Sequence, residues 1–172
     1  MKLTLENLKD NYLILIIKIF IAFLFIFNLT NAILKITDHY DVAYSFSESK
    51  IADYFYITTR FSYLRPVIIS LLPFIGVFIK RKIGWILIQS YFYFLISNLV
   101  FMVIKDDLID NDLIFFYVIS FSILFLIIIL MNKKKISKLN YGIKKEELTS
   151  KNIIAFILGM LITLILLLIK AN

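Results

Sequence analysis

The side chains that could do chemistry in this chain are few, and most of them lie inside or beside long apolar runs. Lys18 and Asn28 fall within the first run, at heptad-like spacing with Phe25, Ala32 and Lys35. Gln89, Tyr93 and Ser97 follow one another every four residues in the third run, so they share one helical face. Polar groups inside a bilayer are costly and face a bundle interior or a water-filled route. Lys18, Asn28, Gln89, Tyr93 and Ser97 therefore define a polar intramembrane face. It serves either as a pathway for a solute or as interhelical hydrogen bonding, with Lys18 snorkelling to the interface. The second, plainer role is the favoured one.

Three further groups stand outside that face. Arg65, next to Pro66, can present a forked set of donors to a phosphate or an acidic partner, or simply anchor a helix at the interface. Asp38-His39-Tyr40-Asp41 holds the only histidine of the chain. With Asp107 and Asp110 of a second loop, His39 forms a weak candidate site for a hard divalent cation, since such ions take carboxylate oxygens. A solvated acidic loop is the competing and favoured reading. Ala155, Gly159 and Thr163 recur every four residues in the last run, and small residues at this spacing let two helix backbones approach closely. The spacing does not say whether the neighbouring helix belongs to the same chain or to another subunit.

The absences are also informative. The chain has no cysteine, so thiolate metal sites, disulfides and thiol redox chemistry are excluded. No phosphate-binding glycine loop, H-E-x-x-H or Ser/His/Asp grouping occurs. No carboxylate lies deep in an apolar run, which argues against a proton-coupled carrier. The expectation is a protein that is not an enzyme and carries no cofactor.

The elements that must position these residues are membrane helices. Of the 172 residues 61% are hydrophobic, and the mean hydropathy is +0.90. Soluble domains carry about 45–50% apolar residues, so the excess must face lipid. Five runs stand out, at about 12–36, 61–79, 83–104, 113–131 and 152–169. Crossing a hydrocarbon core takes about 20 apolar residues in a helix. The expected fold is all-α, a single polytopic bundle of five transmembrane helices over 1–172. The second run, interrupted by Pro66 and Pro73, leaves four crossings plus a re-entrant segment as the alternative.

Charge favours five. With the N-terminus inside, the cytoplasmic segments hold Lys80, Arg81 and Lys82, and the lysine-rich loop 132–151. The positive-inside rule thus gives N-in and C-out. The net charge of +7 is read as topology and lipid contact, not as nucleic-acid binding. The N-terminal run is too long for a signal sequence and is expected to be a retained helix, with a short interfacial helix before it. Between the first two crossings, 37–60 is expected to be a long external loop rich in Tyr and Phe. In it, residues 53–61 alternate in a strand-like way. Tyr141-Gly142 marks a turn, and Thr149-Ser150 offers N-caps for the last helix.

In hydropathy over most of its length, this plan resembles membrane immunity proteins against pore-forming toxins and small accessory subunits of membrane complexes. The resemblance has no diagnostic motif, so no residue roles carry over from it. It implies a non-enzymatic, multi-pass protein of a bacterial inner membrane that binds the lipid bilayer and another membrane protein, a toxin or further copies of itself. A small transporter or oligomeric channel lined by the polar intramembrane face is the second hypothesis. A metal-dependent enzyme acting on lipid headgroups is the third.

Overall fold

The computed structural model describes residues 5–43, 50–105 and 111–171, and among these every regular element is helical. In chain order they are α1 (Leu5–Ala43), α2 (Lys50–Arg60), a 3-10 turn (Ser62–Leu64), α3 (Arg65–Phe78), α4 (Lys82–Lys105), α5 (Asn111–Asn132), α6 (Lys134–Ser137) and α7 (Lys145–Ala171). An all-helical chain is what a bilayer demands, because lipid offers the backbone no hydrogen-bond partner and a helix satisfies its own. Four helices are each long and apolar enough to cross a membrane, over Tyr12–Val42, Lys82–Ile104, Ile114–Asn132 and Lys145–Ile169. The chain is thus a multi-pass membrane protein.

A fifth crossing depends on a bent pair. Ile51–Thr58 and Ser62–Phe78 meet at 62°, and only together do they qualify as one broken span. The expected crossing at 61–79 starts in the 3-10 turn and becomes α-helical at Arg65, with Pro66 in the first turn, where its missing N–H costs nothing. From Ser62 to Phe78 the chain rises about 27 Å, close to the roughly 30 Å of a hydrocarbon core. Along this length it packs against both α1 and α4.

Four local expectations are corrected. Residues 53–61 are not a strand: α2 is a helix to Arg60, and the apparent alternation is a helical stripe that buries Ile57. Among the described residues no separate interfacial helix precedes the first crossing, and α1 does not end near residue 36. It is one helix of 39 residues, about 58 Å long and so nearly twice the depth of a hydrocarbon core. Nothing in Ile36–Val42 breaks the helix: Thr37 returns its hydroxyl to the Ile33 carbonyl, and Tyr40 stacks on Tyr54 of α2 at 4.4 Å. Asp38, His39 and Asp41 thus stand on a helix instead of in a loop. Finally, α7 starts at Lys145, ahead of Thr149-Ser150, and Glu146 and Glu147 occupy its first turn, where the helix dipole favours negative charge.

α4 is the hub. α7, α3 and α5 all pack on it, and α1 packs on α3. Gly76 and Gly84 let the α3–α4 hairpin close: a Cβ on Gly76 would lie 2.8 Å from the Gly84 carbonyl oxygen, and one on Gly84 would lie 2.7 Å from that of Gly76. On α1, Ile14, Ile17, Ile21 and Ala32 are buried, and Phe25 stacks on Phe74 of α3 at 4.5 Å. This is the face that the heptad spacing marked.

Trp85 ties α4 to α5. It is fully buried, and its indole N–H donates to the Met131 carbonyl at 3.0 Å. That oxygen belongs to the last turn of α5, whose carbonyls lack intrahelical partners. Trp85→Phe is expected to lower stability by about 1 kcal/mol, the net worth of one such bond, measured by thermal unfolding in detergent. Because Trp85 is the single tryptophan, its blue-shifted, quencher-resistant emission in the wild type reports the same burial.

The lysine-rich segment between α5 and α7 is anchored, not loose. Ile136, Tyr141 and Ile143 are buried in the core cluster, the Ile143 N–H donates to the Ser137 carbonyl at 2.9 Å, and Gly142 makes the anticipated turn at φ 68°. Burial pushes the Tyr141 phenol up to about 12 from its ordinary 10. The folded state therefore keeps the proton where the unfolded chain has lost it. Stability should be unaffected by this group below pH 10 and fall as pH rises from 10 towards 12. Melting curves across that window should show a smaller fall in Tyr141→Phe than in the wild type.

Candidate functional site

The five residues of the expected polar face do not form one line. α4 turns about 100° per residue, so Gln89, Tyr93 and Ser97 face α7 while Tyr91, Leu95 and Asn98 lie on another side. On the α7 side, Gln89 Nε2 and Tyr93 Oη both donate to Asn152 Oδ1, at 3.2 and 3.1 Å. Asn152 Nδ2 donates to Asn132 Oδ1 at 2.6 Å and to the Leu148 carbonyl at 3.1 Å. Asn132 Nδ2 donates in turn to the Ile128 carbonyl at 2.9 Å. Ser97 donates to the Tyr93 carbonyl and touches Met160 Sδ, both at 2.9 Å. These contacts join α4, α5 and α7 near the end that carries Lys80, Arg81 and Lys82. Lys82 and Glu147 close that end with an ion pair of 2.6 Å.

Lys18 and Asn28 are not part of this cluster. Lys18 is half-buried towards the basic end, within electrostatic reach of Lys80. Asn28 lies three turns further along α1, beside Tyr91. The polar face expected from sequence is therefore split by helix phase into a basic-end cluster, a lone lysine and an opposite-end site.

The small-residue stripe is placed clearly. Ala155, Gly159 and Thr163 are all buried, and α7 packs along α4. A Cβ on Gly159 would lie 2.7 Å from the Ser90 carbonyl oxygen and 2.8 Å from the Phe94 nitrogen. The stripe's neighbour is thus a helix of its own bundle.

The opposite-end site is a cavity of about 440 Å³ between α1, α3, α4 and α7. Asn28, Ser62, Arg65, Tyr91 and Asn98 supply its polar atoms, while Phe94, Leu95, Phe101, Met102, Leu166 and Leu167 supply apolar wall. Arg65 is half-buried in the first turn of α3, and among the described residues no carboxylate lies within 4.0 Å of its guanidinium. Ser70 donates within its own helix, to the Val67 carbonyl at 3.0 Å.

His39 stands at the same end but faces aromatic rings. Its Nδ1 is 3.2 Å from Tyr63 Oη, and its ring lies 4.2 Å from that of Phe61. Asp107 and Asp110 lie outside the described residues. Among the described residues no three His, Cys, Asp or Glu side chains come together as metal ligands, and Asp38 and Asp41 are exposed. His39 thus packs α1 against the 3-10 turn, and the rest of the expected cation grouping lies outside the described residues.

Asn132 and Asn152 were not singled out by the sequence because each bounds an apolar run, where a polar residue reads as the edge of a crossing. Tyr91 was missed as one aromatic among many; its spacing of four and seven residues from Leu95 and Asn98 was the available signal. Compared with known proteins, the chain matches no family model, no curated relative and no solved structure.

Proposed function

We propose that the chain is a non-enzymatic accessory protein of a membrane complex, held N-in and C-out with its basic end in the cytoplasm of a bacterial inner membrane. Its partner is another membrane protein; an immunity protein, whose partner is an incoming toxin segment, is the narrower form of the same reading. The observation that carries it is the closure of Gln89, Tyr93, Asn132 and Asn152 upon one another. Gln89 and Tyr93, two of the five residues that would line a solute route, are bonded to α7 instead, which supports an interaction role over a pathway. The surface offered to a partner is the side of α5 turned away from α4, its main neighbour, where Phe115, Ile119 and Leu126 are exposed.

Photocrosslinking in native membranes tests this. A photoreactive residue at Phe115 or Leu126 is expected to capture one protein in stoichiometric yield, while the same group at Ile19 of α1 does not. Lipid adducts alone at every position, from a protein that purifies as a monomer, would sink the reading. So would solute flux through the purified protein in vesicles.

A further inference from the structure

We propose that the cavity between α1, α3, α4 and α7 binds one anionic amphiphile, with its phosphate on Arg65 and its hydrocarbon tail on the apolar wall. The proposal stands apart from the α5 surface and does not depend on it. A volume of about 440 Å³ falls within the roughly 300–1,000 Å³ of small-molecule sites. A guanidinium keeps its charge at any accessible pH, and a half-buried one needs an anion or water to compensate it. Among the described residues no carboxylate lies within 4.0 Å of Arg65, so none of these compensates its charge. The planar fork matches two oxygens of a phosphate, a geometry that an ammonium lacks.

The other lining residues narrow the chemistry. Asn28, Tyr91 and Asn98 share the cavity with Arg65 and can hydrogen-bond ester oxygens or hydroxyls of a headgroup. Phe101, Leu166 and Leu167 present only hydrocarbon. A soluble phosphate would have no use for that wall, and a zwitterionic lipid, whose own cation offsets its phosphate, would leave the arginine's charge uncompensated. An anionic glycerolipid uses both. Arg65 also sits at the first turn of α3, at the end of the bundle where headgroups lie.

The test uses the full-length protein reconstituted in vesicles holding equal amounts of phosphatidylglycerol and phosphatidylcholine. It is then extracted in mild detergent and weighed intact with its retained lipid. The wild type is expected to keep one phosphatidylglycerol and to exclude phosphatidylcholine. Arg65→Gln should lower that retention by about ten- to a hundredfold, the worth of a charge-assisted contact. Arg65→Lys should lower it less. Leu167→Trp, which keeps the charge and fills the cavity, should abolish retention, and Arg60→Gln, an exposed arginine on α2, should leave it unchanged. Melting temperatures verify that each variant is folded; should Arg65→Gln fail to fold, Leu167→Trp decides. Retention by Leu167→Trp at the wild-type level, or equal retention of phosphatidylcholine, overturns the proposal. Competition separates the two sources of phosphate. If excess glycerol 3-phosphate displaces the lipid as well as short-chain phosphatidylglycerol does, the site is a plain anion site and the amphiphile assignment falls.

Discussion

Gly159→Leu is expected to abolish recovery of a monodisperse folded protein, and Gly159→Ala to lower its stability by about 1–3 kcal/mol, the usual cost of forcing a methyl into a packed site. The opposing term is helix propensity, which favours alanine over glycine by about 1 kcal/mol in soluble hosts. Geometry decides which wins. The atoms that an added Cβ would meet at 2.7–2.8 Å include the Ser90 carbonyl oxygen and the Phe94 nitrogen. Both are backbone atoms in the middle of α4 and cannot swing aside as a side-chain tip could. α7 would have to lift along its whole contact with α4, the most extensive in the bundle. Gly142→Ala is the control. No atom lies within 4 Å of its added Cβ, and only the φ of 68° opposes it, at a cost of about 1–2 kcal/mol. Size-exclusion profiles and melting curves of the three variants order the effects. A Gly159→Leu protein as stable as the wild type would show that α7 does not rest on α4 at this point.

Asn152→Leu is expected to cost about 2–4 kcal/mol. It removes three interhelical hydrogen bonds, each worth about 0.6 kcal/mol on average in membranes, and strands the partners that it leaves behind. Gln89→Met, one bond away, should be neutral or mildly stabilising. Gln89 is fully buried and donates once, to Asn152, while its Oε1 has no partner. Its replacement loses one bond and also relieves an unsatisfied carbonyl, which costs about 1–3 kcal/mol when buried. The contrast between the two substitutions, read from unfolding in mixed micelles, tests whether the cluster is structural. If Asn152→Leu melts with the wild type, the polar residues are not holding the bundle together and remain free to line a solute route.

Several elements were legible from residue types alone. The apolar runs at 83–104, 113–131 and 152–169 became α4, α5 and most of α7, because about 20 consecutive apolar residues have few other places to go. The Tyr141-Gly142 turn and the close-packing stripe of α7 were legible for the same kind of reason: each depends on a residue's intrinsic shape. Boundaries were less so. α1 continues through Asp38 and His39, polar residues that hydropathy reads as loop, because Tyr40 stacks on Tyr54 and the tilted His39 ring packs against Phe61, supporting the extra turns.

The sequence by itself determined the solvent of this protein, its helical class, its basic end and the small-residue face of α7. These follow from composition and from spacing along a single helix. Only the tertiary structure decided which helix that face meets, that Gln89 and Tyr93 converge on Asn152, and that Arg65 shares a cavity with Asn28 and Asn98. Each of those depends on the rotation of one helix about its axis relative to another. In lipid, hydrophobic patterning constrains that angle weakly, because every apolar face is equally at home. Backbone approach at glycines and a handful of hydrogen bonds set it instead, and their partners lie tens of residues apart in the chain.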